Sequence, residues 1–318
     1  MTAANERQRE SPGERRGAQG VPASEPAGGT AGAKPPGLRL DVVIVSHNTR
    51  DDLANCLASL HAHPPSALHS IVVVDNASTD GSVALVRERW PAVRVHALDR
   101  NVGFGAANNV ALRESRADLV LLLNPDTTVS AGNLDVLVDR LVATGAVAAG
   151  PRLVDGDDRP EVSFGPMLTP AGEFLQRLRV RAAARGGAMA RRYIARHVAR
   201  ERVVDWVSGA CLLLRRDAAA AAGFFDERYF MYEEDVDLCA ALRQRGGRVL
   251  YTPEATVVHL RGRSVRASNS PSSSHHYDRS HLAFYEKHAP RWAPWLRGWL
   301  RLRGRSTAAE APVDKSAR

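Results

Sequence analysis

The chain has 318 residues, 44% hydrophobic and 25% charged, enough to bury one large or two modest cores. Its formal charge of +8 calls for an acidic partner. Lacking zinc-finger spacing, an RNA-binding aromatic signature or a basic zipper, it points away from nucleic acid and toward anionic lipid headgroups or phosphorylated substrates.

Residues 1–37 are rich in Ala, Gly, Pro, Glu and Arg without apolar periodicity and are expected to be a disordered tail. The run Leu40-Asp41-Val42-Val43-Ile44-Val45-Ser46 predicts a buried parallel strand. Residues 49–60 predict an amphipathic helix opened by Thr49, with Asp52 at capping-box spacing. The alternation then repeats. Ile71-Val72-Val73-Val74-Asp75 is a strand, Thr79 and Asp80 open a helix that Pro91 stops, and residues 93–96 form another strand. Residues 104–114 are helical, Leu119-Val120-Leu121-Leu122-Leu123 is a buried strand, and residues 131–143 are helical again. Continuously apolar strands alternating with helices predict an α/β fold with a mostly parallel sheet covered on both faces. Cys56, Cys211 and Cys239 have neither zinc spacing nor an even count, and they lie in apolar-periodic stretches, so reduced core thiols are expected. No apolar run approaches the roughly 18 to 20 residues of a membrane span, and no signal peptide precedes the first strand, so a cytoplasmic location is expected.

In parallel sheets ligands bind beyond the carboxyl ends of the strands. Those positions are polar here: Ser46-His47-Asn48, then Asp75-Asn76-Ala77-Ser78-Thr79-Asp80-Gly81, then Asp99-Arg100-Asn101-Val102-Gly103-Phe104-Gly105, then Asn124-Pro125-Asp126. Any one could be turn chemistry, but four at one edge predict a site. Gly103-Phe104-Gly105 lacks the third glycine of a dinucleotide fingerprint and follows the third strand rather than the first, which argues against a nicotinamide enzyme. The glycines are expected to let the loop pass close to a ligand and enter the helix.

Farther on, Tyr229-Phe230-Met231-Tyr232-Glu233-Glu234-Asp235-Val236-Asp237-Leu238-Cys239 sets four carboxylates among aromatics. It reads as the acidic mouth of a helix. Asp235, Leu238, Cys239 and Leu242 fall at i, i+3, i+4 and i+7, so Asp235 shares a face with residues that must be buried. Desolvation and neighbouring negative charge there raise a carboxyl pKa, which suits a general base or a metal-site acid. An acidic first turn that only complements the helix dipole has the same local sequence.

Taken together with Gly209-Ala210-Cys211-Leu212-Leu213-Leu214-Arg215-Arg216, Phe225-Asp226-Glu227 and Asn101 through Asn108, these motifs occur in the order seen in inverting family 2 glycosyltransferases of GT-A fold. The resemblance covers roughly residues 39–290 and is strongest to bacterial rhamnosyltransferases of cell-envelope glycan assembly. It implies a nucleotide-sugar donor site containing Ser46, Asn48, Asp75, Asn76, Asn101, Gly103, Asn108, Asn124 and Asp126. Asp75 matches the aspartate that hydrogen-bonds the nucleobase. Asn124-Pro125-Asp126 occupies the place of the family D-x-D motif, with asparagine where the first aspartate stands, so Asp126 keeps a divalent-metal role while the contact from position 124 is open. His259 matches a histidine that completes the metal site, and imidazole leans the choice between Mn²⁺ and Mg²⁺ toward Mn²⁺. Asp235 matches the catalytic base. Glu234 and Asp237 are helix-end or acceptor-contact groups, Gly209 falls on the acceptor side, and Trp206 either offers a flat face to a sugar or is a core tryptophan.

Two basic stretches flank this arrangement. Residues 176–202 carry nine arginines against one glutamate, which suits a phosphate-bearing acceptor such as a polyprenyl-diphosphate glycan, or else a solvated insertion. Residues 291–305 interleave tryptophans and arginines, with Trp295, Trp299 and Leu302 on one helical face. They read as an in-plane helix on an anionic membrane surface or as packing against the core, and residues 306–318 as a disordered tail. The expected whole is a metal-dependent inverting glycosyltransferase domain over residues 38–290. It would move L-rhamnose from dTDP-rhamnose to a lipid-linked or envelope glycan at the inner membrane face. UDP-galactofuranose as donor, a sugar-nucleotide nucleotidyltransferase and a non-catalytic binding module are the alternatives.

Overall fold

The computed structural model describes residues 37–170, 172–173, 188–260 and 271–303. The expected tails at residues 1–36 and 306–318, and part of the arginine-rich stretch, lie outside these. Strand and helix alternate through β1 (Arg39–Ser46), α1 (Arg50–Ala62), β2 (Leu68–Asp75), α2 (Ser82–Arg89), β3 (Arg94–Ala97), α3 (Phe104–Glu114) and β4 (Leu119–Leu123). Then come β5 (Thr127–Thr128), α4 (Asn133–Thr144), β6 (Ala148–Val154), β7 (Phe164–Gly165), α5 (Ala188–His197), β8 (Arg202–Val204), β9 (Trp206–Val207) and β10 (Cys211–Arg215). The order ends with α6 (Arg216–Ala222), α7 (Glu234–Gln244), β11 (Val249–His259), α8 (Pro271–His288) and α9 (Ala293–Leu302). Thr49 does not cap α1 with its side chain; its hydroxyl pairs with Ser46 Oγ at 2.9 Å.

One sheet runs in the order β3-β2-β1-β4-β10-β6-β11-β5, with β8 paired to β11, and β7 and β9 form a separate ribbon. β1 to β4 are mutually parallel, β10 is antiparallel to both its neighbours, and β6 and β11 are parallel to each other. Six of the nine strands, β1 to β4, β6 and β11, therefore point one way. The two-residue period of each strand sorts its side chains onto two cores. Val42, Ile44, Val73 and Leu121 face α1, α2 and α4 through Leu53, Leu57, Val86 and Leu137. Val43, Val45, Val74 and Leu122 face α3, α6 and α7 through Ala107, Leu112, Ala219 and Leu238. All three cysteines are buried, and burial pushes the thiols of Cys56 and Cys239 up to about 12, so they are inert core groups.

A third apolar cluster joins α8 and α9 to the mouth of α7: Tyr229, Val236, Leu282, Phe284, Tyr285, Leu296 and Leu300. The C-terminal tryptophan-arginine segment is thus attached to the core along one face, where Ala293, Leu296 and Leu300 are buried. Trp299, expected on one face with Trp295 and Leu302, is half-buried against the same cluster, whereas Trp292, Trp295 and Leu302 stay exposed. Truncating Leu300 to alanine removes packing that the site cannot refill by collapse, and Leu→Ala at such positions costs about 2–5 kcal/mol. Leu300→Ala is expected to lower the thermal midpoint by several degrees, and an unchanged midpoint would show that α9 is dispensable to the core.

Candidate active site

The strand registers line up the polar ends that the sequence singles out. Ser46 pairs with Asp75 and Asp75 with Ala97, so the ends of β1, β2 and β3 are level, and β4 ends beside them at Asn124. Reversal of β10 then matters. Because Cys211 pairs antiparallel with Leu123, the start of β10 lies at the same edge as the end of β4, and Asn124 N–H donates to the Ala210 carbonyl at 2.9 Å. β11 ends at this edge too, where His259 pairs with Thr127 and Leu260 N–H donates to the Asp126 carbonyl at 2.7 Å.

Much of the first cluster binds itself. Asn76 donates from Nδ2 to Asn101 Oδ1 at 2.8 Å and to the Gly103 carbonyl at 3.2 Å, while its Oδ1 accepts from Val102 N–H at 2.9 Å. Asn48, with φ +54°, accepts from Thr79 N–H at 2.8 Å. Asn108 is buried and donates back to the Phe104 carbonyl. Asn48, Asn76 and Asn101 therefore tie the loops at this edge to one another, while Asn108 bonds within its own helix and Ser46 pairs with Thr49. Asp75 differs. Its Oδ2 accepts from Ser78 N–H at 2.9 Å, while its buried Oδ1 finds no hydrogen-bond partner among the described residues. Asn124 Oδ1 is likewise without a partner there. A buried acceptor left unsatisfied is costly, so both oxygens invite a donor group from a ligand.

Gly103 (φ +91°) makes a close approach, though to protein rather than ligand. A Cβ there would collide with the Phe230 carbonyl, which accepts from Phe104 N–H at 2.8 Å. This bond fastens α3 to the acidic mouth of α7. As the spacing predicts, Asp235 sits on the α7 face shared with the buried Leu238, Cys239 and Leu242. Its Oδ2 accepts from Gly209 N–H and its Oδ1 from Val236 N–H, each at 2.8 Å. A Cβ at Gly209 would lie in ordinary contact with Asp235 and Phe104. Burial raises the Asp235 carboxyl, the Gly209 bond opposes the rise, and the Glu233 charge adds to it, leaving the group at about 6. Glu234, buried beside Gly105, is pushed well above the carboxylate range by burial first and by Asp235 next.

Asp237, expected as a helix-end or acceptor-contact group, lies in the first turn of α7. It is buried and accepts from Tyr229 OH at 3.1 Å, from Lys287 Nζ at 2.8 Å and, at 2.6 Å, meets His288 Nε2. Trp206 is half-buried, packed against the α8–α9 cluster with Nε1 donating to the Pro166 carbonyl at 2.9 Å. At the far end of the edge, His259 Nε2 lies 3.3 Å from Asp126 Oδ1, and its Nδ1 lies 3.2 Å from Glu161 Oε2. Burial lowers this imidazole, and hydrogen bonds to Asp126 and Glu161 overcome it, raising it to about 9. Among the described residues no three carboxylate, imidazole or thiol groups converge as a complete metal site. The pair fits a divalent cation all the same: it offers one carboxylate oxygen and one imidazole nitrogen turned toward each other, and a phosphate-bearing ligand would supply the remaining oxygens.

Sequence reasoning missed Glu161, Glu173 and His281. Glu161 has no local pattern to mark it. His281, Phe284 and His288 recur at i, i+3 and i+7, a helical stripe that a reading of the C-terminal segment could have found.

Comparison with known proteins now has a geometry to meet. Residues 41–199 match the family model "Glycosyl transferase family 2". The N-acetylglucosaminyl-diphospho-decaprenol L-rhamnosyltransferase of Mycobacterium tuberculosis is 33% identical over 284 residues, 82% of this chain and 89% of that protein. This chain belongs to glycosyltransferase family 2. The rhamnosyltransferase WbbL of Escherichia coli K12 is 26% identical over 69% of this chain and 82% of its own length. Among solved structures, the mannosyltransferase PcManGT of Pyrobaculum calidifontis, in complex with GDP-Man and Mn²⁺, superposes with a TM-score of 0.55. That alignment is 19% identical and covers 86% of this chain and 71% of the other, a likeness of GT-A fold. The family match ends before Asp235 and His259, so the parts played by those two rest on the geometry of this glycosyltransferase.

Proposed function

We propose that this family 2 enzyme transfers L-rhamnose, with inversion, from dTDP-rhamnose to a lipid-linked glycan acceptor. The observation that carries the chemistry is the carboxylate of Asp235, held by Gly209 N–H next to Ala210, whose carbonyl accepts from Asn124 N–H at the sheet edge. The donor and acceptor class are supported by the mycobacterial relative, whose activity its name states and which aligns along most of both chains.

In this reading Asp75 Oδ1 accepts from the nucleobase, and Asp126 with His259 holds a divalent cation on the donor diphosphate. When bound, the cation supplies positive charge that stabilises the nucleoside diphosphate as it leaves. The acceptor oxygen forms a bond to the anomeric carbon as the bond from that carbon to the diphosphate oxygen breaks. Asp235 takes the acceptor's proton, and the electron pair of the broken bond leaves on the diphosphate. Its proton affinity, raised to about 6, makes it a better base than an ordinary aspartate while leaving it ionised at neutral pH.

Asp235→Asn keeps the shape and the Gly209 bond's acceptor but cannot take a proton. Turnover is expected to fall by roughly 10² to 10⁴ with donor affinity nearly unchanged, measured by product formation and by thermal protection. In the wild type the base is active only when deprotonated, so kcat should fall as pH drops through about 6. An ordinary aspartate would hold activity down to about 4. Turnover within a few-fold of wild type in Asp235→Asn would move the base elsewhere.

Asp126→Ala is expected to weaken donor binding about tenfold or more in Mn²⁺, and much less in chelator, because the lost ligand is the cation's. Thermal protection by dTDP-rhamnose, with and without Mn²⁺, reads this directly. Wild-type protection unaffected by chelator would remove the metal from the reading.

We further propose a peripheral position on an anionic membrane. Among the described residues no helix is long and apolar enough to cross one. The exposed side of α9 instead offers Trp292, Trp295 (61% exposed) and Leu302 (90%) beside Arg291, Arg301 and Arg303. Replacing Trp292, Trp295 and Leu302 together by serine should release the folded enzyme from phosphatidylglycerol vesicles in a sedimentation assay. Continued sedimentation would place the membrane contact on another surface.

A further inference from the structure

Two consecutive non-glycine residues, Tyr232 (φ +72°) and Glu233 (φ +67°), hold left-handed backbone immediately before α7. Such conformations are unfavourable and persist only where the surroundings over-determine them. Here the surroundings are α8. Ser280 Oγ donates to the Met231 carbonyl at 2.8 Å, the His276 ring stacks on Phe230 at 4.5 Å, and Tyr277 meets Tyr232 edge-on at 5.8 Å. His281 Nδ1 lies 2.9 Å from Glu233 Oε1 and its Nε2 lies 3.1 Å from Glu173 Oε2. Tyr285 OH holds Glu173 from the far side at 2.5 Å. This bridge is almost wholly buried: the side chains of His281, Glu233 and Glu173 are 6%, 8% and 11% exposed. Glu233 is also the residue from which α7 starts, since Asp237 N–H donates to its carbonyl at 2.8 Å.

We propose that His281 is a positioning residue for the transfer reaction: it bridges Glu233 and Glu173, fixes the left-handed turn that aims Asp235 at the sheet edge, and balances the carboxylate charge beside it. The proposal rests on Asp235 being the base. Nothing in the donor chemistry requires a buried imidazole here, and a turn made only for shape would use glycine or asparagine at position 233.

The charged neighbours define what the bridge does. His281 faces Glu233 and Glu173, with the Tyr277 ring stacked at 5.3 Å and the Tyr285 ring at 5.1 Å. Asp235 is surrounded by Glu233 and Glu234 on its own helix mouth, by Cys239 one turn on, and by the uncharged Gly209 amide across from it. Burial depresses the His281 imidazole, and Glu173 and Glu233 more than restore it, to about 9, so it is cationic at neutral pH. It therefore cancels part of the Glu233 field that would otherwise hold the proton on Asp235.

The test is the pH dependence of kcat, with donor affinity and melting temperature measured alongside. His281→Gln leaves an N–H donor but no cation, so Glu233 acts on Asp235 unopposed and the acid limb should rise by about one pH unit. Glu233→Gln removes the negative charge and should lower the same limb by a similar amount. Each variant is expected to lose roughly tenfold in kcat, with donor affinity within about twofold of wild type. A role confined to folding would change the melting temperature and leave both limbs in place, which would overturn the proposal, as would limbs moving in the same direction. Should His281→Gln fail to fold, Glu233→Gln decides alone, with Glu233→Asn as the variant best suited to left-handed backbone; an unmoved limb there overturns it. Asp235→Asn keeps the two readings apart. If that variant retains turnover, the base has been misassigned; if it is inactive and the limbs do not move, only the role of His281 falls.

Discussion

The hydrogen bond from Gly209 N–H to Asp235 Oδ2 is the contact on which the arrangement of this site depends. Gly209 precedes β10, the one strand inserted against its neighbours between β4 and β6. That reversal brings the start of β10 to the edge where the parallel strands end. A single bond of 2.8 Å then ties the mouth of α7 to the edge bearing Asp75 and Asn124. Asp235 and Phe104 both lie in contact range of Gly209, and the absence of a side chain at Gly103 lets α3 meet the Phe230 carbonyl. Gly103 serves contact between protein segments, the N-terminus of α3 and the mouth of α7.

An edge built this way concentrates negative charge. Asp75, Asp126, Glu161, Glu233 and Asp235 lie on four segments of chain around it, Glu234 being held toward its neutral form by burial, and a nucleotide-sugar diphosphate would add more charge. The protein answers in two places with histidine rather than arginine or lysine. His259 lies between Asp126 and Glu161, and His281 between Glu233 and Glu173. Imidazole is the cation that can lie buried between two carboxylates at this size, and the paired acids keep it protonated despite desolvation. The two bridges sit in different settings. His259 ends a strand beside a carboxylate and an unsatisfied amide oxygen, where a divalent cation can replace its proton. His281 lies inside a helix packed on an apolar cluster, where it can only hold charge and shape.

Much of this was legible in the sequence, for identifiable reasons. Continuous runs such as Leu119–Leu123 and the alternation of strand with helix fix the parallel half of the sheet, because both faces of those strands must be apolar. The i, i+3, i+4, i+7 spacing from Asp235 placed its carboxylate on the buried face of α7. What stayed hidden depended on partners distant in the chain. That the side chains of Asn76 and Asn101 bind one another and the Val102 amide could not be read from residues 25 apart in the chain. Asp237 looks like an exposed first-turn acid until Lys287 and His288, some fifty residues on, are brought against it. The antiparallel insertion of β10 has no signature in its own five residues, since Cys211-Leu212-Leu213-Leu214-Arg215 reads the same in either direction of pairing.

The asparagine at position 124 changes the electrostatics of this edge in a way that a shared fold does not reveal. A carboxylate there would stand two residues from Asp126 in the same short turn, with Glu161 already bonded to the opposite side of His259. Like charges that close repel by an amount that grows as water is excluded, and relief would come only from a tightly bound cation. An amide removes that demand. Its oxygen has no hydrogen-bond partner among the described residues and can accept from a donor such as a ribose hydroxyl, while Thr127 Oγ1 donates to its backbone carbonyl at 2.7 Å and holds the turn in place. In the proposed metal-bound state this turn would carry one fewer negative charge than a two-aspartate motif, and His259 beside Asp126 would supply a neutral nitrogen ligand once its proton is displaced. A site of that charge tolerates the empty state better than a two-aspartate motif does. Metal and donor would then arrive as a neutralising pair, with the diphosphate providing the oxygen charge that position 124 gives up.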